Sequence, residues 1–106
     1  MAKRPVTPRG ARRARARAHE ELVRDLERLV QLAPGGSPER PRPIASPAQV
    51  DVIANATPCP LCEAPHRLEE HASETIGGVR LRVARVACTG CGVRRAYWFK
   101  LDAGPQ

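Results

Sequence analysis

Aromatic side chains are nearly missing from this chain: Tyr97, Trp98 and Phe99 are the only three in 106 residues, and they stand side by side. So few large rings, set against eleven prolines and eight glycines, leave little material for a conventional hydrophobic core and point to a small scaffold that needs a staple. No apolar run approaches the roughly 18 residues that a membrane-spanning helix requires. No apolar stretch follows the basic start, so a secretory signal is not expected either, and a reducing, cytoplasmic setting without membrane attachment is the default. Acidic residues are absent before Glu20, while Lys3, Arg4, Arg9, Arg12, Arg13, Arg15 and Arg17 precede it. These seven account for the whole net charge of +7; the rest of the chain is neutral. An arginine-rich, acid-free start is also a mark of organelle transit peptides. Pro5 and Pro8 count against that, and the bias towards Ala, Arg, Pro and Gly suits a high-GC bacterial gene.

Catalytic machinery is also lacking. The sequence offers no paired carboxylates, no nucleophile with a neighbouring base and no phosphate-cradling loop beyond single residues, so no enzymatic activity is expected.

What is present falls into four stretches. Residues 1–18 form a basic arm whose centre, Ala11 to Ala18, is made of good helix formers. It is expected to be disordered alone, because arginines at every second position would wrap around a helix without making a stripe, and helical when bound to a polyanion. Arg12, Arg13, Arg15 and Arg17 are its candidate contacts to RNA or DNA phosphates, through counterion release that carries little sequence information. From 19 to 33 the pattern becomes helical. Leu22, Val23, Leu26, Leu29 and Val30 recur at three- and four-residue intervals, and Pro34-Gly35-Gly36 ends the element. A helix this short is marginal alone in water, so its stripe must cover something, whether the C-terminal half of the chain, a second copy or a partner; Leu22, Leu26, Leu29 and Val30 are candidate contacts to a protein partner or a second copy. Residues 34–56 read as a proline-rich, semi-rigid linker. Within it, Ser46-Pro47-Ala48-Gln49 resembles a capping box and allows a short helix over 47–55, or a strand through Val50, Val52 and Ile53.

The strongest signal lies in residues 57–102. Cys59-Pro-Leu-Cys62 and Cys88-Thr-Gly-Cys91 are two CxxC pairs separated by 25 residues. Each pair makes a tight knuckle presenting two thiolates, and the spacer is long enough for a hairpin to bring them together as a tetrahedral zinc site. A redox dithiol more often comes singly at a helix start in a βαβ setting. Four cysteines also fill every position of a tetrahedral ion, which argues for structural rather than catalytic zinc. His66 and His71 are alternative ligands, and are expected instead to be ordinary strand residues.

Ile76-Gly77-Gly78-Val79 is a two-residue hairpin signal. Folding about it pairs Ile76 with Val79, Ala72 with Val83, Glu70 with Arg85 and Leu68 with Ala87, and a third strand follows from Val93 to Leu101. Matching the apolar sets Val79, Leu81, Val83 and Val93, Arg95, Tyr97, Phe99, Leu101 gathers Arg80, Arg82, Arg94, Trp98 and Lys100 on an outer face. A basic face with one aromatic ring suits single-stranded nucleic acid; the competing expectation puts Trp98 in the core under the helix. Arg85 interrupts the alternation between Val83 and Val86, where a bulge would exchange the faces.

Residues 59–101, with the ending CTGCGVRRAYWFKL, resemble the zinc-ribbon superfamily and are similar to ribbons of transcription elongation and polymerase-associated proteins. The resemblance implies a three-stranded antiparallel zinc ribbon, here with an N-terminal amphipathic helix and a basic tail. It also implies a place in a transcription or ribosome-related assembly. Two positions depart from the family: Glu63 stands where a ribbon commonly has glycine, and the hairpin tip is Gly-Gly where transcript-cleavage ribbons carry an acidic pair. The resemblance therefore covers fold and metal ligands and not a cleavage activity.

Overall fold

The computed structural model describes residues 7–102. The first element, α1 (Pro8–Leu32), is a single 25-residue helix. It corrects the expectation of a disordered arm over most of that arm's length; the part of the arm at residues 1–6 lies outside the described residues. Local chemistry accounts for the start at Pro8. The Thr7 hydroxyl accepts a hydrogen bond from the Gly10 N–H at 3.0 Å, and Pro8 occupies the first helical position, where its missing N–H has no intrahelical partner to lose. Alanines between the arginines carry the helix into the amphipathic half.

After α1 the chain turns at Gly35, whose φ is +86°, and Gly36. A Cβ on Gly36 would lie 1.7 Å from the Val30 carbonyl oxygen, so only glycine fits against the end of the helix. The proline-rich stretch is not a free linker. The Gly35 carbonyl accepts the Trp98 N–H at 2.7 Å, and Arg42–Ile44 forms a short strand, β1. Then come α2 (Ala48–Ala56), β2 (His66–Ile76), β3 (Val79–Cys88) and β4 (Arg94–Leu101).

The sheet has four strands in the order β1-β4-β3-β2. β1 runs parallel to β4, and the other pairs are antiparallel. The expected three-stranded antiparallel ribbon is thus a four-stranded mixed sheet. Pro41 and Pro43 in and beside β1 leave the outer edge of that strand short of N–H donors, one way of blunting an exposed sheet edge.

The hairpin tip follows expectation: Gly77 and Gly78 both take positive φ, +58° and +80°, and Ile76 pairs with Val79, Ala72 with Val83 and Glu70 with Arg85. The register differs at Leu68, which pairs with Val86 rather than Ala87 because a bulge sits between Leu68 and Glu70. The irregularity falls at Glu69 on β2 and not at Arg85. Arg94 Nε meets the Glu69 carboxylate at 3.1 Å.

β3 is central and buried on both faces, which defeats simple matching of apolar sets. On one face, Ala84 and Val86 pack with Phe99, Ile44 and the α2 residues Val50 and Ala54, with Ile53, Leu68 and Tyr97 at the margin. On the other, Val83 stands in the cross-strand row between Ala72 and Trp98 and is completely buried. The helix covering the first face is α2, held by Gln49, whose side-chain oxygen accepts the Ala45 and Ser46 N–H groups at 2.5 and 3.3 Å. This is the glutamine half of the expected capping box; no side chain caps the helix from the other direction.

Candidate metal centre

Two knuckles with the same hydrogen-bond pattern build the centre. In the first, the Glu63 N–H donates to the Cys59 carbonyl at 2.8 Å and the Cys59 N–H to the Ala64 carbonyl at 2.9 Å. In the second, Gly92 donates to Cys88 at 3.1 Å and Cys88 to the Val93 carbonyl at 2.9 Å. The equivalent turn residues, Glu63 and Gly92, have φ of +62° and +76°. The position where the sequence departs from the ribbon pattern thus adopts the left-handed conformation that glycine usually fills. Cys88 ends β3, and the Thr89 N–H and hydroxyl both donate to the Pro65 carbonyl, at 3.0 and 2.8 Å, clamping one knuckle on the other. Gly90 permits the close approach: a Cβ there would lie 2.8 Å from Ala64 Cβ and 3.1 Å from Cys62 Sγ.

The four sulfurs of Cys59, Cys62, Cys88 and Cys91 lie within 4.8 Å of one another. Cys59 Sγ is 3.8 Å from Cys91 Sγ, and Cys62 Sγ is 3.3 Å from Cys88 Sγ. Metal–thiolate bonds of about 2.3 Å in a tetrahedron put sulfurs about 3.8 Å apart, so the donor set fits one four-coordinate ion. These separations are far beyond a disulfide bond, and all four cysteines are free. The cluster can hold a metal ion.

Electrostatics favour it. The Cys91 N–H, with help from the Cys62 thiol and the Gly90 N–H, holds the Cys88 thiol down at about 6 against desolvation. The Gly90 and Cys91 nitrogens lie 3.3 and 3.4 Å from Cys88 Sγ. For Cys59, burial acts to raise the pKa, but the Leu61 and Cys62 N–H groups outweigh it and the net shift is downward. The Val93 N–H acts to lower Cys91, but burial and the sulfurs of Cys88, Cys59 and Cys62 prevail and push it up to about 11. Thiolates crowded together resist a second and third ionisation, and a cation removes that penalty.

His66 and His71 are not among the clustered donors. His66 is buried, pairs with Cys88 across the sheet and meets the Thr57 carbonyl through Nδ1 at 2.8 Å. His71 Nδ1 lies 3.0 Å from the Asp51 carboxylate of α2. The Nε2 atoms of both are buried without a hydrogen-bond partner.

The other candidate residues are dispersed. Arg82 pairs with Phe99, and Val83 with Trp98, so Arg80 and Arg82 share the face of Phe99 while Arg94, Trp98 and Lys100 lie on the opposite one. The single outer basic face is not formed, because β3 and β4 pair with Leu81 and Val83 on the side of Trp98. Trp98 itself is half-buried. In the helix, Leu26 and Val30 are half-buried together with Val23 and Glu27, whereas Leu22, Leu29 and Leu32 are exposed; the expected partner stripe is split in two. Glu27 supplies the tie between α1 and the sheet: its carboxylate receives two hydrogen bonds from Arg95, of 2.7 and 2.5 Å. Sequence pattern gives no sign of that pair, because 68 residues separate its members.

Folding the basic half as a helix also regroups its charges. At about 100° per residue, Arg9, Arg13 and Arg17 stand within about 80° of one another, Arg12 flanks them and Arg15 lies on the far side. Arg9, Arg12, Arg13 and Ala16 line a shallow surface depression of about 400 Å³. A stripe that alternating arginines alone would not make exists because Arg9 joins it at i, i+4 spacing.

No family model, curated protein or solved structure matches the chain. No helix among the described residues is long and apolar enough to cross a membrane.

Proposed function

We propose that the four cysteines hold zinc as a structural ion and that the chain is a non-catalytic, zinc-ribbon-like module presenting a basic helix to the phosphate backbone of RNA or DNA. The all-thiolate tetrahedral donor set supports zinc. One observation carries the nucleic-acid reading: Arg9, Arg12, Arg13 and Arg17 are solvent-exposed on an acid-free helix segment that places three of them in a row. Exposed guanidinium groups in a row, with no carboxylate on the segment to neutralise them, suit consecutive phosphates. The sheet contributes less to this reading, because its cations are divided between two faces and Arg94 is paired with Glu69. Placement in a transcription or ribosome-related assembly rests on the ribbon resemblance.

The test is binding of labelled single-stranded RNA and duplex DNA over a range of salt. Replacing Arg9, Arg13 and Arg17 with glutamine is expected to flatten the slope of log K against log salt by about 2–3, at 0.7–0.9 for each phosphate no longer neutralised. An unchanged slope would refute the role of the helix.

A second reading has its own observation. Leu22, Leu29 and Leu32 remain exposed on α1, as an adaptor docking a protein would require.

A further inference from the structure

The exposed leucines belong to a longer seam. Ala11, Arg15, Ala18, Leu22, Asp25, Leu29 and Leu32 recur along α1 at alternating spacings of four and three, the heptad pattern that keeps one line of a helix facing a partner. All but Ala11, which is half-buried, are exposed; Leu22, Leu29 and Leu32 stand 56%, 63% and 56% open. The half-buried residues Val23, Leu26, Glu27 and Val30, of which Glu27 reaches Arg95 on the sheet, lie on a different side of the helix.

This seam is asymmetric in two respects. Its N-terminal half is small and basic, with Ala11, Arg15 and Ala18; its C-terminal half is large and acidic, with Leu22, Asp25, Leu29 and Leu32. Run against a reversed copy of itself with Arg15 opposite Asp25, the seam brings Leu22 against Ala18, Leu29 against Ala11 and Leu32 against Pro8. Every large side chain meets a small one, and both charges at seam positions meet their opposites, twice over by symmetry. Asp25 is 68% exposed, and its contact with Arg28, at 3.8 Å on the same helix, is exposed and weak. A parallel arrangement would instead set Arg15 on Arg15 and Asp25 on Asp25.

We infer that α1 is the interface of an antiparallel homodimer in which a second copy of this chain covers the seam. Such an interface is isologous, the commonest closed symmetry among oligomers. It leaves the row of Arg9, Arg13 and Arg17 on the side of the helix away from the seam, so a dimer presents two basic segments at opposite ends of the helix pair. Dimerisation does not depend on the nucleic-acid reading, since the seam and the arginine row are different faces.

Sedimentation equilibrium of the zinc-loaded full chain without nucleic acid tests the inference. The expected mass is twice the chain mass of 11.6 kDa at high concentration, falling towards the single mass on dilution. Arg15→Asp and Asp25→Arg each place like charges in two layers and are expected to give the single mass at every concentration; the double swap, with both changes in one chain, restores the dimer. Zinc content and helical circular dichroism confirm that each variant folds. A wild type that stays at the single mass at all concentrations overturns the inference and leaves the seam to a different protein. Single variants that associate as the wild type does overturn the antiparallel layers, because parallel copies keep like charges opposed in either case. A double swap that fails to recover the dimer also overturns it. Nucleic-acid affinity measured on the same samples separates failure of this inference from failure of the proposed function.

Discussion

Removing the carboxylate of Glu27 is expected to release α1 from the sheet while leaving the metal centre intact. No residue of α1 is fully buried, and the bidentate contact from Arg95 to Glu27 is a side-chain hydrogen-bonded tie between helix and sheet. The Arg95 side chain is only 5% exposed and that of Glu27 is 36% exposed. Burial alone would lower the Arg95 pKa, but the Glu27 hydrogen bonds and charge outweigh it and the net shift is upward. Deleting one partner of a fully buried pair costs about 3–5 kcal/mol because a desolvated charge remains. Solvent reaches Glu27, so screening reduces the expected loss to about 1–3 kcal/mol. In Glu27→Gln, amide hydrogen exchange across the C-terminal half of α1 should accelerate by about 5- to 150-fold, since each 1.4 kcal/mol of opening free energy is a factor of ten. Metal stoichiometry should not change. A double-mutant cycle with Arg95→Met, read by denaturant unfolding at the sole tryptophan, Trp98, should return a coupling of the same size. Met suits the site because Arg95 shares a cross-strand row with Val86 and Leu68. A coupling below about 0.5 kcal/mol, or unchanged exchange in α1, would refute the assignment of the tie, since contacting partners in a network couple more strongly than that.

Chelation should unfold the sheet end that carries the knuckles, because binding of a structural zinc is worth roughly 10–16 kcal/mol in small zinc domains; persistence of the native Trp98 emission after chelation would contradict a structural role. Metal binding near pH 8 should release protons, that of Cys91, held up at about 11, among them, with little from Cys88, already ionised above about 6. Protons compete with the metal, so affinity should rise with pH across this range, and a calorimetric heat independent of the buffer's ionisation enthalpy would refute it. Gly92→Ala should cost about 1–2 kcal/mol from backbone conformation alone, because a Cβ there meets nothing within 4 Å. The converse change, Glu63→Gly, should stabilise the other knuckle by up to about 1 kcal/mol. Thermal unfolding of the metal-loaded pair measures both, and equal effects of the same sign would contradict the equivalence of the two turns.

The amino-acid sequence by itself determined the features that depend on neighbours along the chain. Two CxxC pairs located the four thiols, because a knuckle is a local turn and its ligand spacing is set within four residues. Gly77-Gly78 set the hairpin and most of its register, because positive φ is available to glycine at little cost. Periodicity marked the amphipathic half of α1, and Thr7-Pro8, a cap residue before a first-turn proline, was a legible signal for the helix start that the count of arginines obscured. Tertiary structure alone decided the rest. Arg42–Ile44 is a strand only because β4 offers it an edge, and three residues carry no strand signal of their own. Which face Arg80, Arg82 and Trp98 occupy depended on how β4 pairs with β3, and a central strand buried on both sides gives alternation nothing to choose between. The metal centre shows the same division: the cysteines could be named from their spacing, but the 3.3–3.8 Å approach of their sulfurs required the hairpin, the Thr89 clamp on Pro65 and the missing side chain of Gly90, which lie on different segments and meet only when the sheet closes.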